Sequence, residues 1–157
     1  MTRAAQAAER LSAVIANCDV LEVACGTAEF SIAAAELAAG VTCIDLDDSR
    51  LLPEVREQEN IVFRTMDAAA MRFGNDSFDT VVLYNAAFHV AEQLPAVLDE
   101  CLRVLRPGGV LCVISTWKLD YAVITDTLLP LADARGLRCR FTADAVYTCV
   151  ILRAPNR

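Results

Sequence analysis

The chain has 157 residues, of which 55% are hydrophobic and 22% charged, and its formal net charge is −7 at neutral pH. This composition predicts one packed domain over residues 1–157 and excludes a disordered chain. No uncharged apolar run approaches the roughly 20 residues of a membrane span, and the N-terminus lacks the residue order of a signal peptide. We therefore expect a cytoplasmic protein. The single lysine and the scattered arginines, densest at Arg135, Arg138 and Arg140, also lack the clustering that is typical of nucleic-acid grooves.

Helix-like and strand-like segments alternate along the chain. Apolar residues at helical spacing first predict an amphipathic helix over residues 1–16. Five apolar runs then predict buried strands, in this order: DVLEV (19–23), VTCID (41–45), IVFRTM (61–66), DTVVLY (79–84) and VLCVIS (110–115). Such near-continuous apolar runs are typical of parallel strands that are buried on both faces.

The segments between these strands have helical patterns. The first covers residues 27–40 and is predicted to end at Gly40, and the second is a short helix with Pro53 in its first turn. The clearest pattern places apolar residues from 94 to 105 on one helical face. The RPGG sequence (106–109) is then predicted to turn the chain into the fifth strand.

A further helix over about 120–135, followed by a hairpin of strands 138–142 and 146–153, completes the chain. The alternation predicts an α/β fold, with a doubly wound, mainly parallel, seven-stranded sheet and an antiparallel strand in the C-terminal hairpin. In such folds ligands bind at the carboxyl ends of the strands, which here points to the turn after the first strand.

Seven cysteines are spread through the chain without a C-x-x-C pair, at positions 18, 25, 43, 101, 112, 139 and 149. Because several lie in apolar runs, we expect small buried side chains in a reducing compartment. Their spacing does not fit a zinc site, and we expect no metal. Cys25 stands apart because it falls in the turn after the first strand.

That turn, VLEVACGTAEF (20–30), restricts the choice of ligand. A Walker phosphate loop requires G-x-x-x-x-G-K-[ST], which is absent, and a dinucleotide turn requires G-x-G-x-x-G, whose positions here hold Ala24, Gly26 and Glu29. Glu22 and Glu29 would also lie beside the doubly negative pyrophosphate. A cationic sulfonium cofactor, S-adenosylmethionine, instead favours acids next to a closely approaching backbone.

At this point the sequence resembles the class I S-adenosylmethionine-dependent methyltransferases, which have a Rossmann-like fold. Four segments continue the resemblance in the family's order: VTCIDLDDSRL (41–51), FRTMDAAAMRF (63–73), NDSFDTVVLYNAAFHV (75–90) and LDECLRVLRPGGVLCVIS (98–115). The match covers residues 19–115 as a cofactor-binding core, between the helix at 1–16 and a C-terminal helix and hairpin at 116–157. It implies transfer of a methyl group to an acceptor, which we expect to be a small molecule.

The resemblance also implies the residues that contact the cofactor. Glu22 would lie near the methionine end, and Asp45 would accept hydrogen bonds from both ribose hydroxyls. Leu46 would pack on the adenine, whose amino group would donate to Asp67. The remaining implied contacts lie in the first turn, beside Asp67 and after the fourth strand: Ala24, Cys25, Gly26, Ala68 and Asn85. Two structural alternatives stay open, since Asp45 could cap a following helix and Asp67 could be a turn residue.

Two alanines depart from the family pattern. Ala24 and Ala28 stand where the family prefers glycine, so a positive φ at either position costs about 1 kcal/mol, and the methyl groups narrow the approach to the cofactor. A module that binds S-adenosylmethionine or its demethylated product without catalysis is therefore one alternative. A nucleotide-dependent oxidoreductase is another.

Aromatic residues and one histidine mark the expected acceptor side. His89, which follows the fourth strand, is a candidate general base, or it closes the pocket by its shape. Phe88, Trp117 and Tyr121 either form an apolar rim or pack under the opening helix. The sequence YNAAF (84–88) lacks the N/D-P-P-Y/F pattern of amino-methylating nucleic-acid enzymes, so we expect no nucleic-acid substrate. Since no inserted cap is available, a site completed by a second subunit of a homodimer stays open.

Overall fold

The structure is a computed structural model and describes residues 1–155. It contains seven strands: β1 (Asp19–Val23), β2 (Gly40–Asp45), β3 (Ile61–Thr65), β4 (Phe78–Tyr84), β5 (Leu105–Ser115), β6 (Arg138–Ala143) and β7 (Thr148–Arg153). Residues 156 and 157, which the predicted C-terminal segment includes, lie outside the described residues.

The strands form one sheet in the order β3-β2-β1-β4-β5-β7-β6. Strands β1 to β5 pair in parallel, and β7 runs antiparallel to both of its neighbours, β5 and β6. Strand order reverses direction beside β1, which is where open α/β sheets bind ligands. The predicted doubly wound, mainly parallel sheet with an antiparallel C-terminal hairpin strand is confirmed.

Helices cover both faces of the sheet, and each face has its own hydrophobic cluster. They are α1 (Arg3–Arg10), α2 (Ser12–Ile15), α3 (Glu29–Ala34), α4 (Leu94–Val104), α5 (Lys118–Val123) and α6 (Leu129–Ala134). One cluster contains the buried residues of α1 to α3, and the other contains those of α4 and α6. Within residues 1–155, no helix combines the length and apolar character needed to cross a membrane.

The predicted helix over 27–40 is too long, because α3 ends at Ala34 and Gly40 begins β2 instead of ending the helix. Residues after α3 form hydrogen bonds to the segment before β1: the N–H of Asn17 donates to the carbonyl of Leu37, and the N–H of Ala39 donates to that of Cys18. These long-range contacts replace the helical bonds that the alanine-rich sequence favours locally.

The predicted helix end at 105 and the predicted turn at 106–109 are also wrong. Helix α4 ends at Val104, and β5 begins at Leu105 and runs through Arg-Pro-Gly-Gly, where its pairing with β4 shifts register. At Gly109 the chain passes so close to β4 that an added Cβ would lie 2.8 Å from the carbonyl oxygen of Asp79. The segment is therefore an irregular part of β5, and only glycine fits at position 109.

Other boundaries differ less. The opening helix is divided at Leu11 into α1 and α2, and a π-helical turn, Ile124–Leu128, divides the helix predicted over 120–135. Pro53 begins a 3-10 turn, Pro53–Glu57, as predicted for the short helix. The cysteines follow the prediction in part: all seven are free, with Cys25, Cys43, Cys101 and Cys112 buried and Cys139 exposed.

Candidate functional site

The turn between β1 and α3 is held against the carboxyl end of β2. The N–H of Gly26 donates to Asp45 Oδ2 at 2.7 Å, and the N–H of Cys25 donates to the carbonyl oxygen of Ile44 at 3.0 Å. The N–H of Ala28 donates back to the Cys25 carbonyl oxygen at 2.8 Å. These bonds fix the path of the backbone beside the carboxylate of Asp45.

Three residues of this turn have left-handed backbone conformations. Their φ angles are +55° at Ala24, +55° at Gly26 and +63° at Ala28. Alanine is strained there because its Cβ crowds the backbone, so the cost expected from the sequence is present at both alanines. Their methyl groups differ in effect, since Ala24 lines the cavity described below whereas Ala28 is fully buried in the core.

A cavity of about 700 Å³ opens at the carboxyl ends of β1, β2 and β3. Six of the predicted site residues are among those that line it: Ala24, Asp45, Leu46, Asp67, Ala68 and His89. The structure therefore brings the first-turn, second-strand, third-strand and fourth-strand segments to one place. The other predicted residues do not line this cavity: Glu22, Cys25, Gly26 and Asn85.

Asp45 holds two backbone segments at once. While Oδ2 accepts from Gly26, Oδ1 accepts from the N–H of Leu46 at 2.7 Å. The alternative that Asp45 caps a following helix is wrong, because the next helical segment begins only at Pro53. A carboxylate has about four acceptor positions, so two remain for a ligand. The side chain of Leu46, which also lines the cavity, is 70% exposed and is therefore accessible to a ligand.

Asp67 is a turn residue that keeps one oxygen available. Its Oδ1 accepts from the N–H of Ala69 at 2.8 Å, as the turn alternative predicts. Within residues 1–155, Asp67 Oδ2 and the N–H of Ala68 have no hydrogen-bond partner in the protein. An acceptor and a donor are thus presented side by side at the cavity wall.

Glu22 lies behind the turn and not in the cavity. Its side chain is 1% exposed, and its Oε1 accepts from both the N–H of Ser31, at 3.1 Å, and the Ser31 hydroxyl, at 2.7 Å. Burial raises the pKa of the Glu22 carboxyl well above its usual range, against the opposing effect of the Ser31 hydrogen bonds. The partner of Glu22 is therefore the first part of α3, which the sequence did not indicate.

Arg50 is a cavity residue that the sequence analysis missed. Its guanidinium lies over Gly26, where an added Cβ would be 3.3 Å from an Arg50 nitrogen. Arg50 lies in the segment 41–51 that carries the family resemblance, but no role was assigned to it there, and it reaches the turn from an exposed loop.

Cys25 is a core residue of the same turn. A hydrogen bond with the Cys43 sulfur and burial both raise the pKa of the Cys25 thiol, which disfavours its reactive thiolate form.

Asn85 joins the loops that follow β4 and β5. Its φ is +51°, and its Oδ1 accepts from the N–H of Thr116 at 2.8 Å. Fully buried Asp120 makes the second connection, since it accepts from the N–H of Phe88 at 2.7 Å and from the hydroxyl of Ser115. The loop carrying Phe88 and His89 is therefore fixed by buried polar contacts. Sequence analysis did not identify Asp120 as one of the residues that make them.

His89 lies in an aromatic group at the edge of the cavity. Its ring is edge-on to Trp117, with centroids 5.6 Å apart, and to Phe88, with centroids 6.2 Å apart. Among residues 1–155, no side chain or backbone group forms a hydrogen bond with either ring nitrogen. Phe88, Trp117 and Tyr121 are 47%, 43% and 46% exposed, so they do not pack under the opening helix.

Comparison with known proteins identifies the family. A family profile described as a methyltransferase domain matches residues 21–113. The chain belongs to this methyltransferase family. The resemblance to class I S-adenosylmethionine-dependent methyltransferases is thereby confirmed.

Individual relatives agree with this assignment. A protein of Mycolicibacterium smegmatis named "Probable S-adenosylmethionine-dependent methyltransferase" is 31% identical over 89% of this chain and 54% of its own length. A demethylmenaquinone methyltransferase of Clavibacter sepedonicus is 36% identical over 70% of this chain and 46% of its own length. The chain thus spans about half the length of the curated relatives that it matches.

Solved structures share the fold. The N-methyltransferase NodS from Bradyrhizobium japonicum, crystallised in complex with S-adenosyl-L-homocysteine, aligns with a TM-score of 0.76 at 18% sequence identity. The alignment covers 97% of this chain and 86% of that structure.

The strain at Ala24 predicts a stabilising substitution. Ala24→Gly should raise the free energy of unfolding by about 1 kcal/mol, because glycine adopts φ +55° without steric cost. Chemical denaturation measures the change. Ala33→Gly, in the right-handed interior of α3, is the matched control and should lose about 1 kcal/mol. Destabilisation by both substitutions would contradict strain at Ala24.

The buried acid predicts a pH-dependent difference. Burial raises the pKa of the Glu22 carboxyl, so the protonated carboxyl is favoured in the folded protein. The stability that this group contributes is lost as the pH rises from its pKa in the unfolded chain through its pKa in the folded protein. Glu22→Gln keeps an oxygen acceptor for Ser31 and does not ionise. Its unfolding free energy relative to the wild type should therefore increase as the pH rises above the unfolded carboxyl pKa of about 4.3. Glu29→Gln, on the exposed side of α3, controls for loss of an acid, and a pH-independent difference at Glu22 would contradict the prediction.

Proposed function

We propose that this chain is an S-adenosylmethionine-dependent methyltransferase that acts on a small molecule. The proposal rests above all on one observation: Asp45, Asp67 and the strained turn at Ala24 line a single cavity at the carboxyl ends of adjacent parallel strands. This donor and acceptor set fits the cofactor, since it offers carboxylate oxygens for hydroxyl and amino groups and no concentration of positive charge for a pyrophosphate.

Each cavity residue has a role in this proposal. Asp45 would accept the ribose hydroxyls through the acceptor positions that Gly26 and Leu46 leave open. The free oxygen of Asp67 and the N–H of Ala68 would meet the adenine edge, with the exposed Leu46 side chain against its face. Asn85, Cys25 and Gly26 would support the methionine end from the loop after β4 and from the turn, and Glu22 would act from behind the turn through α3.

The cofactor supplies an activated methyl group on a cationic sulfur, which a nucleophile displaces in line. The chain must then align that nucleophile and exclude water, for which the rigid loops after β4 and β5 are suited. The acidic lining also favours a cation, since Asp45, Asp67 and Glu92 face the cavity with Arg50 as the opposing positive charge.

We propose a planar apolar ring as the acceptor. Phe88 and His89 line the cavity, and Trp117 extends the aromatic surface beside them. Exposed aromatic side chains at a cavity mouth favour stacking and edge-on contacts with a ring. The relative from Clavibacter sepedonicus, a demethylmenaquinone methyltransferase, supports an acceptor of this type. The same open rim would also admit completion of the site by a second copy of the chain.

Binding and turnover together test the proposal. Calorimetric titration with S-adenosylmethionine, S-adenosylhomocysteine and NAD should give binding of the first two only. Incubation with a methyl-labelled cofactor and a panel of hydroxylated aromatic rings should then give a labelled product by mass spectrometry. Binding of NAD alone would reject the methyltransferase assignment in favour of an oxidoreductase. Cofactor binding without transfer to any ring would instead favour the non-catalytic module.

Asp45 should be essential for cofactor affinity. Asp45→Ala is expected to weaken S-adenosylhomocysteine binding by roughly tenfold or more, because it removes charge-assisted hydrogen bonds to the ribose. Asp48→Ala, which removes a nearby exposed carboxylate paired with Arg56 at 3.0 Å, should leave the dissociation constant unchanged. Calorimetry measures both. Since Asp45 also holds Gly26, unfolding curves must show that the variant is folded, and an unchanged dissociation constant would reject the ribose contact.

His89 should contribute through its ring shape more than through proton transfer, since no group within residues 1–155 orients its nitrogens. His89→Phe is expected to keep kcat within about threefold, whereas His89→Ala should raise KM for the acceptor as the aromatic contact is lost. Steady-state kinetics with an accepted ring compound measure both variants. A loss of kcat of about a hundredfold in both, with loss of a near-neutral limb in the pH profile, would assign the base role instead.

A further inference from the structure

Three arginines meet at the end of the sheet opposite to the candidate site. Arg138 begins β6, Arg153 ends β7, and the two are directly opposite each other in the antiparallel pairing. Arg140 lies two residues along β6 and therefore on the same face. Arg153 also pairs with Val110, before the carboxyl half of β5, which places the group towards the amino ends of the parallel strands.

These arginines have no acidic partners. Within residues 1–155, no carboxylate oxygen lies within 4.0 Å of a guanidinium nitrogen of Arg138, Arg140 or Arg153, although five other arginines form ion pairs. Like charges directly opposite each other on neighbouring strands destabilise a sheet. The Arg138–Arg153 pair therefore places two like charges together without an acidic partner, in a chain whose 21 acidic residues outnumber its 14 basic ones. Because both side chains are exposed, solvent reduces this repulsion but does not remove it.

Protection of the sheet edge explains only part of this pattern. Charged side chains on an edge strand prevent pairing with other chains, and Arg138 and Arg140 are exposed on the edge strand β6. Arg153 is on β7, which lies between β5 and β6. Arg153 is also exposed, at the last residue of β7 and directly opposite Arg138, so protection of the sheet edge does not account for its charge.

The arginines line a cavity of about 350 Å³ between the hairpin and the first two helices. Among the apolar residues of the same cavity, Val14 and Ile151 are partly exposed and contribute apolar surface, whereas Leu11 is buried. Its fourth arginine, Arg10, is already held by Asp144 at 2.7 Å. The cavity therefore combines unpaired positive charge with an apolar wall, and its volume is in the range of small-ligand sites.

We propose that this cavity binds a small organic phosphate. The phosphate group lies between Arg138 and Arg153, with Arg140 as a further donor, and the organic part contacts the partly exposed Val14 and Ile151. Guanidinium groups present paired N–H donors that match phosphate oxygens, and an anion between them converts mutual repulsion into two attractions. This site is separate from the proposed methyltransferase site, at the other end of the sheet.

Nuclear magnetic resonance titration of the full chain tests the proposal with three probes: phenyl phosphate, inorganic phosphate and benzyl alcohol. Phenyl phosphate should bind most tightly, by about tenfold over inorganic phosphate, because it supplies both the anion and the apolar group. Its chemical-shift changes should centre on β6, β7 and α2. No saturable binding of phenyl phosphate, or shifts confined to the cavity beside Asp45, would overturn the proposal.

Matched variants locate the binding. Arg153→Gln and Arg138→Gln should each weaken phenyl phosphate binding by about tenfold, since each removes one charged donor. Arg56→Gln removes an exposed arginine elsewhere and should leave the affinity unchanged. Thermal unfolding without ligand should show no loss of stability in Arg153→Gln, because the substitution relieves repulsion. Equal weakening in all three variants would indicate non-specific charge attraction and would overturn the site.

Discussion

The hydrogen bond from Gly26 to Asp45 is the contact on which the candidate site depends. It joins the turn after β1 to the end of β2, so two strands that are neighbours in the sheet are also joined at their carboxyl ends. The turn brings this N–H to the carboxylate with left-handed backbone conformations at Ala24, Gly26 and Ala28, and the two alanines are strained in that conformation. Because Asp45 fixes the backbone and also lines the cavity, the position of the turn and the position of the cavity carboxylate cannot vary independently.

A second acid fixes the other side of the same turn. Glu22 is buried against Ser31, so the beginning of α3 is attached to β1 from behind while Asp45 holds the turn in front. Burial raises the pKa of the Glu22 carboxyl and so favours its protonated form over a buried charge. Glu22 thus has a structural partner in Ser31. An effect of Glu22 on a ligand would therefore act through the position of α3.

The central strands could be predicted from the sequence because β1, β2, β4 and most of β5 are buried apolar runs, and the predicted bounds of β1 agree with Asp19–Val23. The exposed edge strand β6 lacks this signal and follows from the hairpin pattern instead. Helix ends were less predictable. The residues after α3 form hydrogen bonds with Asn17 and Cys18, which precede β1, and a local helical pattern contains no information about such tertiary contacts. The cavity residues of the three strand ends were found because a parallel sheet brings those ends together. Arg50 and Asp120 were missed, because an exposed loop arginine and a helix aspartate have no pattern that distinguishes them from surface residues.

The pairing of β6 with β7 explains why the arginine group at one end of the sheet could not be predicted from the sequence. Arg138 and Arg153 are fifteen positions apart in the chain and become neighbours only through the hairpin pairing. The acidic cavity and the arginine cavity are separated by the length of the strands, roughly 20 Å for six residues. This exceeds the Debye length of about 8 Å at physiological ionic strength, so the two fields are largely independent. A net negative charge of −7 is therefore compatible with a cavity suited to a cation at one end and a cavity suited to an anion at the other.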